Sequence, residues 1–489
     1  MNRMENRIKP QKQVPNLELI LYLTSTFLFT NMQGMVGNYR QVYFVNVLHL
    51  SGNEIALVNT ICNIAGFALP FFYAMLVDRA PKPGKAKFKP YVVMTAVPSG
   101  ILTVLMFLSP KLSTAPVFGP LSPLMVYLCF VTILHGAMIY FSNTVNNIAI
   151  VISEDQAERD TVLTLRGIVN AVGNSGALVL VLVVGLFSGN AFLAREEQRL
   201  IFASVLCALF GTAMLLFAMR LVRERVSYSS KKENPLLGFW EVLRNPYALL
   251  LLFSEFLQGL RGIGSYMGIF LAAALLGNVD KFILFGLPTG IGTFVGMMLV
   301  NLLLKKINNK QIYILFAVFA FFANLGAYWA GLQSFRNPEN MLMQVLFFGF
   351  LFTMGIPYGA TNLLPSMFQA DILEDIEVKS HRRVEASIAF IVGLGGTLSG
   401  SVIVGYVAPR ILLGDYVRYL PTVDQLVDGV MTTVYQEQSY DTKVRMLVLY
   451  TIYHGTMILI ASLPFIFYKL TGKRKEEIHA KALAYREGL

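Results

Sequence analysis

Residues 247–276 read YALLLLFSEFLQGLRGIGSYMGIFLAAALL. Thirty residues pass with two charges, Glu255 and Arg261. About 20 apolar residues in a helix cross the hydrocarbon of a bilayer, so this stretch predicts a membrane span. A charge near the middle of such a span costs about 2.5–3.5 kcal/mol on insertion scales and is usually kept for function. Glu255 and Arg261 are therefore the first residues to ask about.

The same reading applies along the rest of the chain. Apolar runs at 17–47, 53–77, 91–109, 121–151, 162–187 and 200–221 precede this one, which makes it span 7. Runs at 282–304, 311–332, 341–368, 384–413 and 447–470 follow as spans 8 to 12. Of all the carboxylates, Glu255 alone lies deep in a run. The predicted organisation is a tail at 1–16, a six-helix bundle at 17–221, a linker at 222–246, a second six-helix bundle at 247–470 and a tail at 471–489. The fold class is an all-α membrane protein of twelve transmembrane helices.

Composition agrees. The 489 residues are 55% hydrophobic and 14% charged, where a soluble domain averages about 25% charged. The net charge of +11 does not point to nucleic acid, because the excess sits in short loops and tails. Loops after spans 2, 4, 6, 8 and 10 hold 17 Lys and Arg, against 8 in the loops on the other side. By the positive-inside rule, both termini are expected in the cytoplasm. The loop 414–446 is then the longest outer segment, and it is expected to form a small external cap. Cys62, Cys129 and Cys207 lie in three different spans and fit neither a metal site nor a disulfide framework. Phosphate loops, metal-ligand spacings and nucleophile sets are absent at membrane depth, which argues against an enzyme and against a cofactor.

Polar residues recur at helical spacing within the spans. Span 4 has Asn143, Asn146 and Asn147, on one face at i, i+3 and i+4. Span 5 has Arg166, Asn170 and Asn174, four residues apart. Span 2 has Asn59 and Asn63, and span 1 has Asn31, Gln33, Asn38 and Arg40. Amides both donate and accept, which suits a polyhydroxylated or carboxylated ligand. The same groups can hold helices together, at about 0.6 kcal/mol per bond; four such stripes favour ligand contact. Tyr358 and Asn362 on span 10 add a ring and an amide. Arg40 and Arg261 outnumber the one deep acid, which favours an anionic solute. For energy coupling, Glu255 is the candidate proton acceptor and His135 a second candidate.

Three loop segments carry a family resemblance. The first is Asp78-Arg79-Ala80-Pro81-Lys82-Pro83-Gly84-Lys85. The second is Leu364-Pro365-Ser366-Met367-Phe368-Gln369-Ala370-Asp371, followed by His381-Arg382-Arg383-Val384-Glu385. The third is Glu158-Arg159-Asp160, with Arg166 beyond it. With twelve spans, these resemble the glycoside–pentoside–hexuronide:cation symporters, the melibiose-permease group of the major facilitator superfamily. The resemblance implies two six-helix halves working by alternating access. It also implies a gating set of ion pairs, which would fall on Asp78, Arg79, Glu158, Arg166, Asp371, Arg383 and Glu385.

The departures from that pattern are equally informative. The two cation-binding acids of the family's span 2 fall on Gly66 and Pro70 here. The span 4 acid falls on Ser142, the sugar-binding acid of span 1 on Thr30, and the span 11 lysine near Thr397. A sodium site is therefore expected to be absent, leaving protons as the expected driver of any uphill transport. The expected solute is sugar-related: a glycoside, a hexuronide or a sugar acid. Alternatives are a lysolipid or amphiphile carrier and a non-transporting membrane sensor. The expected partners are this small solute and the lipid bilayer, with the chain a monomer in the inner membrane.

Overall fold

The structure, a computed structural model, describes residues 13–69, 86–108, 110–153, 155–225, 235–337, 339–380 and 385–486. Within them eleven helices are long and apolar enough to cross a membrane. Span 2 is described only as far as its helix Gly52–Gly66 and the short turn after it. Caps of the usual chemistry start several spans. Ser122 accepts from Met125 N at 3.2 Å, and Asn245 accepts from Tyr247 N at 2.9 Å. Asn308 and Gln311 form a reciprocal capping box.

Some boundaries differ from the hydropathy reading. Span 10 is one helix, Met341–Ser380, and runs past the predicted end at 368. Its charged residues end the apolar run, yet Phe368, Ile372 and Ile376 continue a buried face at four-residue spacing. Asp371 therefore stands on a helix rather than in a loop. Span 12 begins at Tyr440, where Ser439 caps the helix, not at 447. The linker contains the helix Pro235–Arg244, and the C-terminal tail forms the helix Lys473–Arg486. Both are too short or too polar for a hydropathy window to find.

The spans are also less regular than twelve rods. Span 7 is two helices, Pro246–Leu260 and Gly262–Leu276, meeting at Arg261. Span 4 is Pro123–Ser142 and then Val145–Val151. π-helical segments interrupt span 1 at Tyr43–Val47, span 11 at Leu398–Ile403 and span 12 at Leu449–Tyr453. Such segments gather at functional sites in helical proteins.

The chain divides into two compact units. Unit 1 is Met1–Leu50, Leu57–Lys231 and Pro421–Tyr435; unit 2 is Ser51–Ala56, Lys232–Leu420 and Gln436–Leu489. Inside unit 1, span 1 packs on spans 5 and 6, and span 3 on spans 4 and 6. Inside unit 2, span 7 packs on spans 11 and 12, and span 9 on spans 10 and 12. Adding six to each number turns the first pattern into the second, as expected of a duplicated six-helix bundle.

Two features of these units matter below. In unit 2, spans 8 and 10 cross backbone to backbone. A Cβ placed on Gly292, Gly296, Gly355 or Gly359 would collide with the facing main chain, the small-residue packing of membrane helices. In unit 1, the loop between spans 11 and 12 contributes a hairpin, β1 (Val423–Val427) and β2 (Val430–Val434). Asp428 and Gly429 make its turn with positive φ of 49° and 81°. The hairpin docks on the start of span 6, where Glu196 is 1% exposed. Glu196 N donates to Thr433 Oγ1 at 2.9 Å, and Tyr435 OH donates to the Glu196 carboxylate. Asn46 Nδ2 reaches the same carboxylate at 3.2 Å.

Candidate functional site

Within unit 1, the predicted amides join into one chain of hydrogen bonds. Thr30 Oγ1 donates to Asn170 Oδ1 at 3.0 Å. Asn170 Nδ2 donates to Asn146 Oδ1 at 2.9 Å, and Arg166 Nη1 donates to Asn146 O at 2.6 Å. Gln33 Nε2 donates to Asn143 Oδ1 at 2.7 Å. The chain is built where span 4 is interrupted, because Asn143 is the C-cap of its first helix. An interrupted helix frees backbone groups that side chains can answer. Asn143, Asn146, Asn170 and Arg166 are thus brought together.

Other predicted residues of unit 1 serve packing or stand apart. Asn31 Oδ1 accepts from Cys207 Sγ at 3.4 Å, and its amide lies against Gly176. Asn174 crosses Gly34 through its main chain and is exposed. Asn38, Arg40 and Asn63 are half-buried. Arg40 is within electrostatic reach of Cys62 and His135. His135 is buried and meets Thr103 Oγ1 at 3.1 Å. Ser142, at the family's span 4 acid position, is used by Thr95 Oγ1 at 2.7 Å. A Cβ on Gly66 would meet nothing within 4 Å. Pro70 lies outside the described residues.

Unit 2 holds the charged cluster, centred on the break in span 7. Gln258 Nε2 donates to Tyr313 OH at 3.1 Å. Ser254 Oγ is 3.3 Å from the same hydroxyl and donates to Ala461 O at 2.7 Å. These contacts tie span 7 to spans 9 and 12. Arg261 holds its guanidinium 5.2 Å from the ring centroid of Tyr358. Tyr358 OH meets His454 Nε2 at 2.8 Å. Arg261 acts electrostatically on Glu255, Tyr313, Tyr358 and His454. Glu255 Oε1, Gln258 Oε1, Arg261 Nη1 and His454 Nδ1 are all buried, with no hydrogen-bond partner among the described residues. Unpaired buried polar atoms are few in native proteins, and each calls for a reason. Asn362 lies exposed further along span 10.

Reading the sequence as single spans missed Gln258, Tyr313 and His454 as members of this cluster. The available signal was spacing: Ser254, Gln258 and Arg261 follow at i, i+4 and i+7, one face of span 7.

The expected gating residues fall into separate groups. Glu158 accepts from Gln13 N and Val14 N at 3.1 Å each and from Ser153 Oγ at 2.7 Å. Burial alone would raise its pKa, but these donors outweigh burial and hold it below the usual carboxylate value. Asp371 pairs with Lys475 of the C-terminal helix at 2.7 Å. Arg166 belongs to the amide chain above. Asp78, Arg79 and Arg383 lie outside the described residues, and the side chain of Glu385 does as well.

Two carboxylates not picked out from sequence do comparable work. Glu18 holds Arg225 through both oxygens, at 2.9 and 2.7 Å; that ion pair raises the Arg225 pKa. Glu224 accepts from the backbone N–H groups of Lys87, Phe88 and Lys89 at 2.6–2.9 Å. It thereby caps span 3 (Lys89–Phe107) with a negative charge at the positive end of the helix dipole. Among the described residues, no three His, Cys, Asp or Glu side chains are grouped to hold a metal ion.

Comparisons with known proteins add the following. The family described as MFS/sugar transport protein matches residues 20–472. The uncharacterized symporter YjmB of Bacillus subtilis (strain 168) is 26% identical over 356 residues, covering 68% of this chain and 71% of YjmB. The crystal structure of the nucleoside transporter NupG superposes with a TM-score of 0.61 at 14% identity, covering 93% of this chain and 100% of that one. That of a D-xylose–proton symporter gives 0.58 at 12% identity, covering 94% and 98%. At such identities the two structures establish a shared fold.

Proposed function

The chain belongs to the MFS/sugar transport proteins and is a multi-pass membrane transporter rather than an enzyme, and on that premise we propose that it carries a sugar-related solute bearing a carboxylate, driven by protons and not by sodium. The observation that carries the proposal is the Arg261 cluster: a half-buried cation whose Nη1 is itself buried and has no hydrogen-bond partner among the described residues. A guanidinium in a low-dielectric site pairs best with a carboxylate or phosphate. The amide chain around Asn146 and Asn170 supplies neutral donors and acceptors of the kind that match hydroxyl groups.

Absence of sodium coupling is supported by Gly66, Pro70 and Ser142 at the family's three acid positions, since a hard cation favours charged oxygen ligands. Glu255 is the proton acceptor in this proposal, the one carboxylate deep in a span. Protonation removes a buried charge and loosens the tie to Arg261, a two-state element that solute and proton bias together.

The deciding experiment is uptake into proteoliposomes from a panel of neutral glycosides, hexuronides, sugar acids and lysolipids. Preference for a hexuronide or sugar acid supports the proposal; uptake of lysolipids alone would replace it with an amphiphile carrier.

We further propose that both termini are cytoplasmic, from the basic-residue bias of the loops. A single cysteine at Ser113 or Asp424, with Cys62, Cys129 and Cys207 removed, should react with an impermeant maleimide from outside intact cells. Reaction only after permeabilisation reverses the orientation.

A further inference from the structure

Tyr358 is the residue on which the unit 2 cluster turns. Its ring face carries Arg261, with the guanidinium carbon 5.2 Å from the centroid. Its hydroxyl meets His454 Nε2 at 2.8 Å, and the two rings lie 5.3 Å apart. Among the described residues, His454 is the hydrogen-bond partner of that hydroxyl. The contact fits a phenol that donates to Nε2, and in that tautomer the ring's own proton sits on Nδ1. His454 is 4% exposed, and its Nδ1 has no hydrogen-bond partner among the described residues.

Gln258 stands one turn before Arg261, and its main-chain oxygen accepts from Arg261 N at 3.3 Å. Its side-chain nitrogen is taken by Tyr313. Its Oε1 is left over, in a residue 8% exposed. The leftover atoms are thus the donor Arg261 Nη1, the acceptor Gln258 Oε1 and His454 Nδ1, a donor in the tautomer that Tyr358 favours as donor. The irregular backbone falls at the same place. Span 7 breaks at Arg261, and the π-helical segment of span 12 ends at Tyr453, next to His454. Gly264 lets the two spans close here, since a Cβ on it would collide with Leu449 O and come within 3.3 Å of His454 Nδ1.

We propose that Arg261, His454 and Gln258 form a polyhydroxy-acid subsite inside unit 2. Arg261 Nη1 and His454 Nδ1 take the carboxylate, and Gln258 Oε1 takes a hydroxyl of the same solute. Tyr358 is a positioning residue: its hydroxyl sets the imidazole tautomer, and its ring face places the guanidinium. Among the described residues, Arg261 from span 7 and Tyr358 from span 10 act on His454. Glu255 bears electrostatically on Arg261, so the solute carboxylate takes Arg261 fully only when Glu255 is protonated. The subsite rests on the transport reading above and adds the residues that choose an acid over its neutral parent.

The test uses the purified full chain with four probes: D-glucuronate, D-galacturonate, D-glucose and D-galactose. Affinities are read by calorimetry and folding by thermal unfolding without solute. The wild type is expected to favour a uronate over its parent sugar. His454→Leu should cut that preference about tenfold or more, the size of a lost charge-assisted hydrogen bond. Sugar affinity should fall far less than acid affinity, and the unfolding temperature shows separately what the loss of the Tyr358 hydroxyl's partner costs the fold. Tyr358→Phe should cut the preference less, because the ring face that holds Arg261 remains. Gln258→Leu should weaken acid and sugar alike, about fivefold. His454→Gln should recover part of what His454→Leu loses. The subsite is overturned if His454→Leu weakens acid and sugar in proportion, or changes neither. If a neutral sugar binds and no uronate does, the transport reading stands and this subsite falls. If none of the four binds, the sugar-related solute class falls with it.

Discussion

The two halves share one pairing scheme and spend their polar residues in opposite ways. In unit 1 the polar groups at mid-span answer one another: Thr30, Asn146, Asn170 and Arg166 form a continuous chain. Arg166 Nε is the atom of that chain left over. In unit 2 the mid-span cluster leaves an acceptor on Glu255, another on Gln258, a donor on Arg261 and Nδ1 of His454 without partners among the described residues. A satisfied network is rigid and specifies a shape, whereas an unsatisfied one carries a standing cost until something binds. The pairing scheme is thus shared, while the unpartnered polar atoms of these two clusters gather in unit 2.

That contrast can be broken most directly at Glu255. Glu255→Gln is expected to abolish accumulation against a gradient in proteoliposomes while solute exchange persists. The pH dependence of uptake should vanish with it. Accumulation that survives under a pH gradient removes Glu255 from coupling. Next in size is Arg261→Ala, expected to cost an anionic solute about 1.5–3 kcal/mol for a lost charge-assisted bond. A neutral analogue should be nearly unaffected; equal losses would make Arg261 a structural residue and level the two halves.

The matching change in unit 1 should be smaller and indiscriminate. Asn170→Ala opens the amide chain at its middle and is expected to cost about 1 kcal/mol, the same for acid and neutral solute. A selective loss of the acid would place anion recognition in unit 1 too. The smallest expected effect is that of sodium. Uptake at fixed pH and membrane potential should not change when sodium replaces choline. A several-fold rise would mean that backbone carbonyls or Asn63 build a neutral cation site in unit 1.

Much of this was readable from sequence, and the part that was not has a physical cause. Span number and the division into halves follow from hydropathy because each span must hide its own backbone from lipid. Glu255 and Arg261 stand out for the same reason: a charge in hydrocarbon has few excuses. The amide stripes of spans 4 and 5 were legible as stripes. Their sorting was not, since nothing in spacing separates Asn170, in the hydrogen-bonded chain, from Asn31, which packs against Gly176 and Cys207. The unit 2 cluster was hidden by distance along the chain. Gln258 meets Tyr313 55 residues away, and Tyr358 meets His454 96 residues away, so each looks like an isolated core residue. The break at Arg261 has no proline to announce it. The helix Lys473–Arg486 escaped because its role lies in charge pairs such as Lys475–Asp371, which a hydropathy scan discards.

The hairpin on Glu196 has a consequence for biogenesis. Unit 1 takes its last segment, Pro421–Tyr435, from far down the chain. A ribosome adds about 5–20 residues per second, and domains generally fold as they emerge. Spans 1 to 6 can therefore associate long before residue 435 exists. Throughout that interval Glu196 waits without Tyr435, and the main-chain N–H of Glu196 waits without Thr433. The first half to be made is thus the last to be completed, and a chain stopped after the linker would hold Glu196 against Asn46 but without the hairpin's Tyr435 and Thr433, a difference for cellular quality control to recognise.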